Sequence, residues 1–287
     1  MVKFVEPKTR IIDYCLKINF LPSKSGIKKA LKAGEILLNN CMVEGGRYLS
    51  INDTITLVDL ERTPPKPYPL ILPILFEDDF IAIIHKPAGI SVSGNYYKTI
   101  QNALVYNIAP SIQNDALPWA LPVHRLDHQT QGLLIVAKTK TARIELGKAF
   151  ENKTIVKTYQ AIVIGDTLEE GSINFDVDNK PSLTTYKRLK SVPSLKSGTL
   201  TLLELYPKTG RTHQIRIHCS KSGFPILGDK LYGKPHLILK GKGLFLVATA
   251  LKFHHPITKA YLSFNIPTPY KFIKRLNNEI KRFEVYQ

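Results

Sequence analysis

A chain of 287 residues with 44% hydrophobic side chains holds enough apolar material for a large domain and a small one, which excludes general disorder. Forty Lys and Arg against 23 Asp and Glu leave a formal charge of +17, a field that draws polyanions and makes binding salt-dependent, so nucleic acid is the leading partner. The start, MVKFVEPKTR, lacks the apolar core and cleavage pattern of a leader, and no apolar run approaches the ~20 residues of a membrane span; a cytoplasmic chain without membrane attachment is expected, its three scattered cysteines (Cys15, Cys41, Cys219) buried and reduced.

From Ile11 the pattern IIDYCLKINF is amphipathic, and Ser23 is placed to cap a second helix, KSGIKKALKAG, that stops at Gly34. ILLNNCMV and DTITLV then alternate like strands about the turn-rich EGGRYLSIN. Lys24, Lys28, Lys29 and Lys32 stand at helical spacing, so several ammonium groups can meet a phosphate backbone together; a merely solvated lysine face is the plainer alternative. This order of helix, basic helix, glycine, ILLNN and hairpin resembles the S-four RNA-binding module, named for a small-subunit ribosomal protein, and implies a small α/β RNA-binding unit over residues 1–62.

Residues 61–73, ERTPPKPYPLILP, carry five prolines and form a stiff spacer, so the larger domain is expected over 63–287. ILFEDDFIAIIHKPAG follows as two strands about Glu77-Asp78-Asp79, ended at Pro87-Ala88-Gly89. Residues 98–109 and 140–152 read as helices, KTYQAIVIG, TYKRLK and LTLLELYP as strands, and the tail from Tyr270 as a terminal helix. The class is α+β, a mixed and largely antiparallel sheet flanked by helices. Within it, VHRLDHQTQGLLIVAK places Asp127 in a polar loop just before the apolar run Leu133–Ala137, at the rim of the core.

A second polar cluster, TGRTHQIRIHCSKSGFPILGDKLYG, spans 209–233. Its His213 and His218 are five apart and diverge by roughly 140° on a helix, which disfavours a shared metal ion, and the adjacent His254 and His255 meet the same difficulty. No G-x-S-x-G elbow supports a serine hydrolase, and no glycine loop cradles a dinucleotide or phosphate. Neither metal nor cofactor is expected.

HRLDHQTQGLLIVAK and GRTHQIRIHCSKSGFPILGDKLYG, with EDDFIAIIHKPAG and KTYQAIVIG in order around them, resemble the RluA family of pseudouridine synthases over residues 70 to about 265. The resemblance implies the pseudouridine synthase fold and an enzyme that cuts the bond between uracil and ribose and rejoins the base through carbon. It makes Asp127 the indispensable group, puts Arg216 at the position of the arginine facing it, with Arg211 competing, and lays Tyr159 against the uracil, where it is also a candidate to remove the proton lost at the new carbon link. It also gives Arg125 the gap left by the flipped base. A neighbouring guanidinium suits a carboxylate that must stay ionised, and an aromatic ring suits an extruded base. Whether Asp127 attacks the sugar, attacks the ring or abstracts a sugar proton stays open, and His124 is read as structural. Gln131 departs from the serine that the family has in T-S-G, and Cys219 is a milder variation. The partner expected is structured RNA, large-subunit ribosomal RNA before tRNA, acted on by a monomer; an RNA-binding relative that has lost catalysis is the competing reading.

Overall fold

The computed structural model describes residues 2–3, 8–18, 20–21, 23–57, 64–237 and 241–286. The chain divides into two compact units, Met1–Pro64 and Pro65–Gln287. The boundary expected at 62/63 falls on residues outside those described.

In the first unit, α1 (Ile11–Lys17) and α2 (Lys24–Lys32) accompany a four-stranded antiparallel sheet. Its order is β1 (Val2–Lys3), β4 (Thr54–Leu57), β2 (Ile36–Leu38), β3 (Cys41–Met42). Ser23 caps α2 by accepting a hydrogen bond from the Gly26 N–H at 3.0 Å. The hairpin between β2 and β3 turns on Asn39 and Asn40 at φ 50° and 64°, a left-handed pair that asparagine tolerates, which is why ILLNN can reverse the chain. Ile11, Ile27, Leu31, Ile36 and Ile55 close one small core. Cys41 is exposed, against the expectation of three buried thiols, because both residues of the short β3 point outward; Cys15 and Cys219 are buried.

The second unit is built on a ten-stranded sheet. In chain order its strands are β5 (Ile74–Glu77), β6 (Ile81–Lys86), β7 (Ala116–Pro122), β8 (Gln131–Thr139), β9 (Val156–Ile164), β10 (Glu170–Ile173), β11 (Thr184–Ser194), β12 (Gly198–Pro207), β13 (Leu246–His254) and β14 (Tyr261–Asn265). The order across the sheet is β10-β11-β12-β9-β13-β8-β6-β5, with β14 on β13 and β7 on β8. The pairings are antiparallel except for β13 against β8. This is the mixed, largely antiparallel sheet that the sequence implied, and β7, β10, β13 and β14 are strands its local patterns did not mark. Alternation along each strand feeds two layers. Ala161, Val163, Leu203 and Leu205 meet Ile215 and Cys219 of α5 (Gln214–Lys221), while Ile162, Ile164, Leu200 and Leu202 meet Phe272 and Leu276 of α6 (Tyr270–Tyr286). At the other end, α3 (Ile100–Asn107) covers Ala82, Ile84, Leu134 and Val136, and α4 (Lys140–Glu151) covers Ile81, Ile83, Leu133 and Ile135. No helix among the described residues is long and apolar enough to cross a membrane.

Candidate active site

The parallel contact in the sheet assembles the site. Gly132 lies at φ 123°, and a Cβ there would stand 2.2 Å from the Ala248 carbonyl oxygen, so only glycine lets β8 meet β13 this closely. Ala248 is in turn the register partner of Tyr159 on β9. Two strand steps therefore carry the chain from the start of β8 to Tyr159, and the loop just before β8 holds Asp127. The loop is fixed from behind by Lys86, the last residue of β6, which is fully buried. Its ammonium donates to the carbonyls of Pro87, His128 and Thr130 at 2.9, 3.3 and 2.8 Å. Burial pulls the Lys86 amine down to about 8, against the pull of Asp127 the other way. On the near side, the Ile135 N–H donates to His124 Nε2 at 3.0 Å, and the His124 ring lies 4.7 Å from that of Phe150. Desolvation first and the charge of Lys157 second push His124 down to about 3, so it stays neutral and accepting, in keeping with a structural histidine.

Asp127, Tyr159, Arg125, Arg211, His213 and Arg216 line one cleft of about 600 Å³. All three expected catalytic residues are thus brought together, with Arg125 beside them. Arg216 Nη1 lies 3.7 Å from Asp127 Oδ2, but its short contacts go elsewhere: Nε and Nη2 donate to the two oxygens of buried Asp229 at 2.7 and 2.8 Å. Burial opposes the charge on both partners and is outweighed by this forked pair, which holds Asp229 below and Arg216 above its ordinary range. Asp229 Oδ1 also accepts from the N–H groups of Leu231 and Tyr232. Arg216 is therefore oriented by Asp229 and presents its remaining nitrogen to Asp127, while Arg211 is exposed on the loop before α5. Tyr159 is partly buried against the cores on either side of it. Desolvation first, and the negative charge of Asp127 second, raise its phenol above the ordinary tyrosine range, so the hydroxyl keeps its proton.

The histidines separate, though not for the helical reason expected. His213 precedes α5 as its left-handed cap, at φ 54°, and turns toward Asp127 and Tyr232. His218 is buried in the helix, near the Ser182 hydroxyl and the Phe175 carbonyl, both at 2.9 Å. His254 is exposed and His255 is buried 2.9 Å from Asp78. Among the described residues no group of His, Cys, Asp and Glu is arranged to hold a metal ion. Sequence reasoning gave no role to Lys86, Asp229 or Tyr232. Asp229 and Tyr232 lay inside the quoted GDKLYG, whereas Lys86 carried only the local signal of a charge closing an apolar strand.

Residues 80–221 match the family model described as RNA pseudouridylate synthase. The chain is 33% identical to a ribosomal large subunit pseudouridine synthase D of Vibrio cholerae, over 86% of this chain and 84% of the relative. It is 37% identical to a dual-specificity RNA pseudouridine synthase of Pasteurella multocida, over 72% of this chain and 97% of that one. Its fold is similar to human RNA Pseudouridylate Synthase Domain Containing 1, with a TM-score of 0.59 at 24% identity, covering 70% of this chain and 84% of the other.

Proposed function

We infer what the cleft does from the family that surrounds it: the chain belongs to the RluA family of RNA pseudouridine synthases, and we propose that it isomerises uridines of large-subunit ribosomal RNA with Asp127 as its essential group. The observation that carries this reading is the convergence of Asp127, Tyr159 and Arg216, from a loop, a strand and a helix, on one cleft. Asp127 is 16% exposed at its side chain, enough to meet a base brought into the cleft. Arg216 compensates its charge without capturing it, because the guanidinium's forked hydrogen bonds are already taken by Asp229. Tyr159 offers a ring face for the extruded uracil, and a phenol that keeps its proton is a poor proton acceptor, which favours stacking over base chemistry for this residue. Arg125, exposed at the mouth of the cleft, is placed to enter the stack that the uridine leaves.

The first unit serves in this reading as an RNA-binding module, with Lys28, Lys29 and Lys32 exposed and Lys24 sharing its charge with Asp13 at 3.0 Å. The setting proposed is the cytoplasm. Pseudouridine maps of ribosomal RNA and tRNA from cells with and without the protein test the substrate. Loss of a large-subunit ribosomal site supports the reading, loss confined to tRNA replaces the substrate, and unchanged maps in both remove it.

A further inference from the structure

The cleft holds an imidazole to which the family reading gives no task. His213 stands at φ 54° and ψ 18°, a left-handed conformation that a residue other than glycine adopts at a cost and keeps only where its surroundings hold it there. The surroundings are specific. Gln214, next in the chain, accepts from the Thr209 hydroxyl and the Arg211 N–H and donates to the Leu183 carbonyl, which pins the loop on one side. The Tyr232 hydroxyl meets His213 Nδ1 at 3.0 Å on the other. Tyr232 belongs to the loop that Asp229 organises, and the Arg216 guanidinium lies 5.1 Å over its ring. With the phenol donating to Nδ1, the ring proton sits on Nε2, and Nε2 lies 3.8 Å from Asp127 Oδ1. Arg216 lies 3.7 Å from the other oxygen. Both separations are longer than hydrogen bonds, as contacts in open catalytic clefts commonly are before a substrate closes them.

We propose that His213 is a positioning residue for the pseudouridine synthase reaction: its Nε2–H aligns Oδ1 of Asp127 while Arg216 aligns Oδ2, and Tyr232 fixes the tautomer that makes this possible. The strained backbone is then the means of turning the imidazole to the carboxylate. The inference rests on the proposed role of Asp127.

Amide side chains separate this role from a purely structural one. His213→Gln places its amide near the position of Nε2 and can still reach Asp127; His213→Asn reproduces only the Nδ1 side, keeps a partner for Tyr232, and suits a left-handed backbone best of all. Single-turnover conversion of a uridine stem-loop is expected to fall about 10²-fold in the Asn and Ala variants and to stay within about fivefold of wild type in the Gln variant, with the dissociation constant for RNA and the melting temperature unchanged. Tyr232→Phe should slow turnover by about tenfold and add nothing to His213→Asn, since both act through one imidazole. Asn at or above Gln would assign the residue to backbone geometry alone and overturn the proposal, as would a loss that follows RNA affinity or melting temperature instead of rate. A wild-type protein no more active than Asp127→Asn would sink the reading of Asp127 instead.

Discussion

The two units treat charge in opposite ways. Among the described residues of Met1–Pro64 the ionic side chains lie at or near the surface: Lys28, Lys29 and Lys32 are exposed, and Asp13 pairs with Arg10 and Lys24 where water competes for all three. In Pro65–Gln287 the charges that hold the cleft's framework are withdrawn from water, with Lys86, Arg216 and Asp229 at 0, 5 and 1% exposure, while Arg125 and Arg211 stay exposed on its lining. A surface ammonium is mobile and meets any phosphate that comes within reach. A buried one is expensive unless every donor is satisfied, and once satisfied it holds one geometry. The difference separates charges that can meet a passing phosphate from charges that hold one geometry.

The largest effect expected is at Asp127. Asp127→Asn keeps the shape and removes the ionisable group, so turnover should drop by roughly 10⁴-fold or more while RNA affinity stays near wild type, because every cationic side chain that could meet a phosphate is left in place. Tritium release from ring-labelled uridine measures the first and filter binding the second. Multiple turnover by this variant would break the division of labour at its centre.

Next comes a matched pair of neutralisations. Asp229→Asn strands the Arg216 charge in the core and should destabilise the second unit by about 3–5 kcal/mol, a fall in melting temperature on the order of 10 °C. Asp13→Asn removes an equally short contact from the first unit and should leave its melting unchanged, because the pair is already solvated. Equal shifts in calorimetry would show that burial is not what distinguishes the two.

Much of this contrast was legible in the chain. The order of elements, the two dense polar motifs and the lysine spacing are local patterns, and local patterns are what sequence periodicity reports. The pattern around Asp127, a lone carboxylate before an apolar run, places it at the rim of the core, and its essential role comes from the family resemblance of HRLD. Lys86 was not: it closes an apolar strand, and its three carbonyl partners lie one residue and 42 to 44 residues along the chain. The pairing of β8 with β13 joins residues more than a hundred positions apart and rests on the missing side chain of Gly132, for which no periodicity exists. The 140° argument for His213 and His218 holds only on a helix, and α5 begins one residue after His213, whose left-handed turn toward Asp127 leaves no periodic signal.

A smaller effect tests whether the polar groups behind the cleft also set the response to acid. His124 is held down to about 3 in the folded chain, against 6.5 when unfolded, so the unfolded state binds the proton first. The stability this histidine supports is complete above pH 6.5 and is lost as pH falls from there toward 3, by up to about 1.4 kcal/mol per pH unit. His124→Gln retains an acceptor for the Ile135 N–H and does not titrate. Urea denaturation of the second unit should therefore weaken less steeply with acid in the variant, and parallel curves would place the acid sensitivity in other groups.

The smallest effect on the catalytic cleft should come from the first unit, and that smallness is what the comparison demands. Ile27, Ala30 and Leu31 face inward from α2, so Lys28, Lys29 and Lys32 can be changed to Glu together without entering the core. Lys24 is left alone because it already pairs with Asp13. If the three ammonium groups displace counterions from a phosphate backbone, the slope of log affinity against log salt should shallow by up to roughly 2 to 3 on a long structured RNA, and affinity at low salt should fall with it. Conversion of a short stem-loop held by the second unit should proceed at the wild-type single-turnover rate, since nothing around Asp127 has changed. An unchanged slope and affinity would mean that the exposed lysines are solvated and nothing more, leaving the second unit to bind its RNA alone.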